Sequence, residues 1–205
     1  MKNMWDKFFE DKIKIIFTEK KNIIDIGGGL RALKGRGNRQ SRDREWITPL
    51  IKKVNYKILD PVKDYNPDIV GDIHNLPFSD NSCDAIICIA VLEHVENPWK
   101  ACQEMHRVLK QGGYCFVYVP FLYYYHSHEG YYKDYWRFTK DSLGILFKNF
   151  TSMEVENVRG AIATWLRISP LGKYKIIEFF GNFFDKIFGK TKSNQTSGYY
   201  IFFKK

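Results

Sequence analysis

The sequence lacks the features that mark membrane-spanning, secreted or zinc-binding chains. No apolar run reaches the roughly 18–20 residues that cross a bilayer. Asp6, Glu10 and Asp11 interrupt the N-terminal apolar stretch, so we expect no signal peptide. Cysteine is scarce, with no C-x-x-C pair, and we expect no metal site. The cysteines are Cys83, Cys88, Cys102 and Cys115. They lie in apolar stretches, which favours buried thiols in a reducing, cytoplasmic compartment.

Enough apolar surface is present for a substantial core. The 205 residues are 44% hydrophobic and 17% aromatic, which argues against disorder as a description of the whole chain. This length is typical of one domain. We therefore expect a single domain over 1–205, with an N-terminal helix in 1–20 and a helical insertion at 161–190 before the last strand.

The net charge of +9 is concentrated in two segments. Residues 31–57 hold nine Lys and Arg against two acids, and 173–205 hold seven against two. Such segments attract anions or are simply solvated loops. An RNA-binding module, or an RNA methyltransferase using 31–57, is an alternative, but nucleic acid is disfavoured. Trp46 and Tyr56 are the only aromatic residues in 31–57, whereas binding of single-stranded nucleic acid needs several interleaved aromatic residues.

Apolar runs alternate with amphipathic stretches, which predicts a doubly wound α/β sheet. Predicted strands are KNIIDI, 56–60, 68–73, 83–91, 114–121, 153–158 and 198–205, and we expect the last to be antiparallel. Predicted helices are 3–17, 46–53, 99–109 ended by Gly112 and Gly113, and 141–150 capped by Asp141. Residues 30–45 read as a loop.

Glycines and acids follow three successive predicted strands. Gly27, Gly28 and Gly29 follow the first strand, Asp60 ends the second and Asp72 ends the third. Ligands of open α/β sheets bind at this edge, where a carboxylate accepts hydrogen bonds from ribose hydroxyls. Each feature alone is also ordinary turn chemistry, but together they indicate a nucleotide-like ligand.

Four segments carry a family resemblance: IIDIGGG, ILD, GDIHNLPFSDNSCDAIICIAVLEHVENP and EMHRVLKQGGYCFVYVPF. They resemble the class I S-adenosylmethionine-dependent methyltransferases, specifically the type 11 group, over about 22–121. PFLYYYHSHEGYYKDYWRFTKDSL is similar to a subset with an H…DYWRFT segment and extends the resemblance to about residue 150. The resemblance implies a Rossmann-like, three-layer, seven-stranded sheet, mostly parallel, and S-adenosylmethionine as cofactor.

The resemblance also implies roles for single residues. The methionine end of the cofactor would lie against the first and fourth strands, the ribose against the second and the adenine against the third. The residues concerned are Asp25, Gly27, Gly28, Gly29 and Ala90 beside Val91 for methionine, Asp60 for ribose, and Asp72 with Ile73 for adenine. Arg31 stands where the family pattern has a further glycine, which keeps a catalytically degenerate protein as an alternative. A nicotinamide-binding protein is disfavoured because Gly29 is followed by Leu-Arg-Ala rather than completing G-x-G-x-x-G.

Candidate acceptor-side residues lie after the fifth predicted strand. His126, His128 and Asp134 are the candidates for catalysis, since methyl transfer to a hydroxyl usually needs a base. Exposed loop histidines are the plain alternative. We interpret His94 as a cap of the loop after the fourth strand rather than a base.

The segment 161–190 is rich in Phe, Ile and Trp with interspersed Lys. Such an amphipathic segment either packs on the core or lies on an anionic membrane. We therefore expect a small-molecule, glycan or lipid-linked acceptor, with peripheral membrane contact through 161–190 as the accompanying hypothesis.

Overall fold

A computed structural model describes residues 3–36 and 40–205. Residues 1–2 and 37–39 belong to the predicted N-terminal region and the predicted loop, and they lie outside the described part. The strands are β1 Asn22–Ile26, β2 Asn55–Asp60, β3 Ile69–Val70, β4 Cys83–Ile89, β5 Leu109–Pro120, β6 Thr151–Val158 and β7 Gly198–Lys204. The helices are α1 Met4–Glu19, α2 Thr48–Ile51, α3 Pro98–Val108, α4 Lys140–Leu146, α5 Ala161–Ile168 and α6 Lys175–Ile187.

The strands form one seven-stranded sheet in the order β3-β2-β1-β4-β5-β7-β6. β1 pairs in parallel with β2 and β4, whereas β7 runs antiparallel between β5 and β6. The order reverses direction at β1, so the loops after β1 and β4 flank the topological switch point, where open α/β sheets bind ligands. The predicted mostly parallel sheet with an antiparallel last strand is confirmed.

Two apolar layers cover the sheet. On one face α1 buries Phe9, Ile13 and Ile16 against the sheet side chains Phe116 and Tyr200. On the other face α3 and α4 bury a larger cluster. A sheet buried on both faces favours apolar residues at successive positions, which explains the apolar run 85–89 in β4. The predicted buried thiols are confirmed, since Cys83, Cys88, Cys102 and Cys115 are all free and buried.

Three local predictions were wrong. β3 covers only two residues, so Asp72 lies beyond it and caps a 3₁₀ turn instead of ending the strand. Gly112 and Gly113 do not end α3, because the extended Leu109 leads directly into β5 beside an irregularity in its pairing with β4. α4 is capped by Thr139, whose hydroxyl accepts from the Ser142 N–H, and not by Asp141.

The segment 161–190 forms a helical pair, α5 and α6, between β6 and β7. The helices approach closely because Gly181 faces Ala163, and a Cβ on Gly181 would lie 2.7 Å from the Ala163 Cα. Asp185 accepts from the backbone N–H groups of Ile162 and Ala163, which fixes the start of α5. In the ranges 3–36 and 40–205, we find no helix with the length and apolar character needed to cross a membrane.

Candidate functional site

The turn after β1, residues 27–31, is called the glycine loop. Gly27 and Gly28 have φ values of 77° and 59°, in the left-handed region that glycine adopts at little cost. Gly29 has no room for a side chain, since a Cβ would lie 2.6 Å from the Ile89 carbonyl oxygen. The loop therefore lies directly against the end of β4.

Asp25 lies beneath the glycine loop and supports it. Its carboxylate accepts from the Gly29 and Leu30 N–H groups at 3.1 Å each and from the Tyr56 hydroxyl at 2.5 Å. Burial raises the pKa of Asp25 to about 7, although these hydrogen bonds act in the opposite direction. Both carboxylate oxygens are thus engaged within the protein, and Asp25 fixes the shape of the loop.

Two further acids lie at the same edge of the sheet. Asp60 ends β2, is buried, and accepts from the Val62 N–H at 2.8 Å, and burial raises its pKa. The Asp72 side chain is 64% exposed, and one of its oxygens accepts from the backbone N–H of His74 at 2.9 Å and contacts the His74 ring at 2.7 Å. The next residue, Ile73, is buried.

Two residues other than glycine adopt left-handed backbone angles here. Arg31 has φ 54° and Ala90, just after β4, has φ 55°. Such angles cost about 1–2 kcal/mol for an L-residue and tend to cluster at functional sites. The strained residues thus lie in the two loops that flank the switch point of the sheet.

The segment 121–137 after β5 is called the covering loop, because it reaches across the strand ends to the 3₁₀ turn after β2, Lys63–Tyr65. Tyr131 stacks on Tyr65 with ring centroids 5.5 Å apart, and its hydroxyl donates to Asp64 at 3.1 Å. His128 belongs to this part of the loop, stacks on Tyr131, and has Nδ1 3.4 Å from the Tyr65 hydroxyl.

Glu93, His94 and His126 form what is called the Glu93 cluster, at the end of β4. Glu93 Oε1 lies 3.9 Å from His94 Nε2 and 3.8 Å from His126 Nε2. Glu93 is 1% exposed, and its other oxygen, Oε2, finds no hydrogen-bond partner among the described residues. Burial raises the pKa of Glu93 to about 8 and lowers that of His94.

Asp134 links the covering loop to this cluster. Its carboxylate accepts two hydrogen bonds from the Arg137 guanidinium, at 2.6 and 2.7 Å, and one from the His126 N–H at 2.8 Å. Burial acts to raise the pKa of Asp134, but the bonds from Arg137 and His126 outweigh it and lower the pKa to about 2. Asp134 is therefore ionised, and its carboxylate holds His126 in place.

The structure gathers most of the residues that the sequence singled out. Gly27, Gly28, Gly29, Asp60 and Ala90 share one edge, and Asp72 with Ile73 follows β3 at the same edge. His126 and Asp134 lie together, whereas His128 lies apart, beside Tyr65.

Sequence reasoning missed Glu93. The one available signal was an acid between apolar residues in VLEHV. His94 does tie two loops together, because its ring nitrogen Nδ1 donates to the Lys133 carbonyl at 2.7 Å. It is also a member of the cluster.

Known proteins resemble this chain in fold and in part of its sequence. A "SAM dependent methyltransferase" of Archaeoglobus fulgidus superposes with a TM-score of 0.60 at 13% identity, over 98% of this chain and 93% of that one. Its likeness establishes the fold. The chain thus has the Rossmann-like fold of the class I S-adenosylmethionine-dependent methyltransferases.

Comparison of the sequence with known proteins gives matches to parts of the chain. Residues 50–117 match the family described as "Methyltransferase domain". An uncharacterized protein of Methanocaldococcus jannaschii is 31% identical over 122 residues, which are 57% of this chain and 51% of that protein. A demethylmenaquinone methyltransferase of Paenarthrobacter aurescens is 53% identical over 45 residues, which are 22% of this chain and 18% of that protein. Residues 50–117 therefore resemble a methyltransferase domain, and the chain spans about half the length of the archaeal relative that it matches.

Proposed function

We propose that this protein transfers a methyl group from S-adenosylmethionine to an acceptor bound under the covering loop. The observation that carries the proposal is the convergence of the glycine loop, Asp60 and the strained Ala90 turn at the switch point of the sheet. Loops at this point bind ligands in open α/β folds.

The residues present fit the cofactor. The glycine loop packs against β4 without side chains at positions 27–29, which leaves its backbone open to a close ligand. Asp60 offers a carboxylate to ribose hydroxyls, and the exposed Asp72 beside Ile73 suits an adenine amine. Asp25 fixes the loop that would hold the methionine end.

Bound S-adenosylmethionine supplies a methyl group on a sulfonium, which passes in line to an acceptor lone pair and leaves a neutral thioether. Positioning provides much of the acceleration of such a displacement. The covering loop excludes water from the strand ends, and Asp134 orients His126 beside the acceptor. We assign the acceptor to this side of the site, between the Ala90 turn and His126.

The helical pair supports an acceptor at a membrane surface, because the apolar face of α6 points outward and its small and polar residues point inward. Its inward face carries the small or polar residues Gly181 and Asp185, which are buried, and Glu178, which accepts from Arg159 at 2.9 Å. Its outward face is apolar and exposed. That face comprises Ile176, Phe179, Phe180, Phe183, Phe184 and Ile187.

Charge and position both favour an anionic membrane as the occupant of this face. Exposed lysines at 173, 186 and 190 lie before, within and after α6, and they suit anionic headgroups. The helical pair also contacts the covering loop, since the Arg167 guanidinium lies 5.7 Å from the Tyr124 ring centre. An acceptor carried by a lipid would thus be presented next to the acceptor side of the site.

Calorimetric titration with S-adenosylhomocysteine and with NAD tests the cofactor. We expect saturable binding of S-adenosylhomocysteine and none of NAD. Asp60→Ala should weaken binding about tenfold or more, because it removes a charged hydrogen-bond acceptor. Asp11→Ala, on the exposed face of α1, is the matched control and should bind normally. Absence of S-adenosylhomocysteine binding by the folded wild type would overturn the proposed function.

Vesicle sedimentation tests the membrane surface separately. The wild type should pellet with phosphatidylcholine vesicles that contain phosphatidylserine and stay in solution with phosphatidylcholine alone. The double variant Phe179→Glu, Phe183→Glu should lose this binding. Ile145→Glu is the control, since Ile145 is an exposed apolar residue of α4, away from the pair. Failure of the wild type to bind either vesicle, or a self-association that the double variant abolishes, would overturn the membrane assignment.

A further inference from the structure

We propose that the Glu93 cluster binds a divalent transition-metal ion such as zinc. The cysteine spacing predicts no metal site, but this cluster contains no cysteine and joins residues from separate loops. One carboxylate and two imidazoles are a donor set that suits zinc and its neighbours in the first transition row. The three candidate ligand atoms lie within 4.8 Å of one another.

Two of the three separations between ligand atoms are close to those of an occupied site. Ligand atoms of a tetrahedral zinc ion lie about 3.4 Å apart, given bond lengths of about 2.0–2.1 Å. Glu93 Oε1 lies 3.8 and 3.9 Å from the two imidazole Nε2 atoms. Shifts of about half an ångström in side-chain positions would therefore close these two contacts around an ion.

Hydrogen bonds on the far side of each ring turn the correct nitrogen towards the cluster. His94 Nδ1 lies 2.7 Å from the Lys133 carbonyl, which can only accept, so Nδ1 carries the proton. His126 Nδ1 lies 3.1 Å from the Tyr124 carbonyl and 3.2 Å from Asp134 Oδ2, and it carries a proton for the same reason. Each neutral ring therefore presents the lone pair of Nε2. Carbonyl or carboxylate partners of this kind orient metal-binding histidines in proteins.

Glu93 supplies the second observation. Its Oε2 is buried and finds no hydrogen-bond partner in the described ranges, although a buried polar atom without a partner is costly. A cation bound by both oxygens of this carboxylate would offset that cost. The His126 side chain is 25% exposed, which gives an ion a path from solvent.

One of the two positive charges near Glu93 is already paired with an acid, so the surroundings do not exclude a cation. Arg31 and Arg137 act on Glu93 as positive charges and Asp134 as a negative one. Arg137 is itself paired with Asp134 at 2.6 Å. A bound ion requires the ionised Glu93 carboxylate, and with that carboxylate the four groups carry no net charge.

Three protein ligands leave a fourth position open, as in catalytic zinc sites. An acceptor hydroxyl at that position would be acidified by the ion. This catalytic role rests on the proposed function, whereas the metal site itself does not. The test is accordingly made with the metal alone, in the absence of cofactor and acceptor.

Chelator-treated protein would be titrated with zinc chloride in a calorimeter, and its zinc content would be measured after dialysis. We expect one ion per chain and a higher melting temperature with zinc, because the ion binds the folded state. Glu93→Gln and His126→Ala should each weaken binding at least about 100-fold. His128→Ala is the matched control, because that residue is in the same loop but outside the cluster.

His126→Ala changes a partly exposed residue and so keeps the test valid if Glu93→Gln fails to fold. Absence of saturable zinc binding by the wild type would overturn the proposal. The same conclusion follows if His128→Ala weakens binding as much as His126→Ala, since zinc would then be held by loop histidines in general. Normal S-adenosylhomocysteine binding alongside either result would leave the proposed function intact.

Discussion

Substitution of Tyr56 by Phe should destabilise the protein by an amount that increases with pH. The Tyr56 hydroxyl donates to the buried Asp25 carboxylate at 2.5 Å, beneath the glycine loop. Phe keeps the ring that packs on Phe17, whose centre lies 6.1 Å away, and removes only this donor.

The direction of this pH dependence follows from the pKa of Asp25. Burial raises the folded-state pKa to about 7 from an ordinary 3.8, and the nearby Asp60 acts in the same direction. As pH rises from about 4 to about 7, the unfolded chain therefore releases this proton first, and stability falls by at most about 4 kcal/mol. The hydrogen bond from Tyr56 opposes this effect, so its loss raises the pKa of Asp25 further.

The expected loss in free energy of unfolding differs between low and high pH. At about pH 5 folded Asp25 is neutral, and the lost bond costs about 1 kcal/mol; at about pH 9 it is ionised, and the cost is about 2–3 kcal/mol. Tyr56 remains a donor across this range, because burial raises its own pKa well above 10. Of the charges near Tyr56, Arg36 lowers its pKa and Asp68 raises it.

Urea denaturation of wild type and variant at both pH values measures this difference. Tyr114→Phe is the matched control, because the Tyr114 hydroxyl donates to the Glu19 carboxylate at 2.6 Å in an exposed pair. We expect that variant to lose less than about 1 kcal/mol at either pH, since water replaces the lost partner. If Tyr56→Phe cost the same at both pH values, the assigned burial and titration of Asp25 would be refuted.

Three further predictions concern the loops and the helical pair, and urea denaturation checks each. Gly29→Ala should lower the free energy of unfolding by about 2 kcal/mol or more, because its Cβ would lie 2.6 Å from the Ile89 carbonyl oxygen. Gly144→Ala, whose Cβ meets open space on α4, should be neutral or stabilising, and equal losses would contradict this. Arg31→Gly should raise stability by up to about 1 kcal/mol through release of left-handed strain, and a loss would argue against strain there. Asp185→Ala should cost about 1–2 kcal/mol, because two N–H groups at the start of α5 lose their acceptor, whereas an unchanged midpoint would contradict that role.

The sequence predicted the sheet, and the gathering of glycines and acids at one of its edges, because both depend on local patterns. A parallel strand buried on both faces is a nearly continuous apolar run, as at 85–89 in β4, and tight loops at strand ends favour glycine. Local pattern fails where one residue type has two uses. Gly112 and Gly113 resemble a helix stop, but they lie within β5 beside its irregular pairing.

The Glu93 cluster and the outward face of α6 depend on contacts distant in the chain. Glu93 is buried where the covering loop folds over β4, and its backbone carbonyl accepts from the Tyr135 N–H of that loop at 2.7 Å. The spacing of aromatic residues in α6 predicts an amphipathic helix but not which face packs inward. Polar partners decide this, because Asp185 must stay at the start of α5 and Glu178 at Arg159.

Arg31 shows how a motif and a conformation can separate. A glycine would adopt a left-handed angle at this position at little cost, and Arg31 adopts that angle, with φ 54°. Its N–H donates to the Gly28 carbonyl at 3.2 Å, and its carbonyl accepts from Ser41 at 2.9 Å, while Asp25 holds the preceding N–H groups. These bonds impose the turn on a residue that does not favour it. Arg31 therefore adds strain and charge to the loop, while its backbone keeps the left-handed angle that a glycine would adopt at little cost.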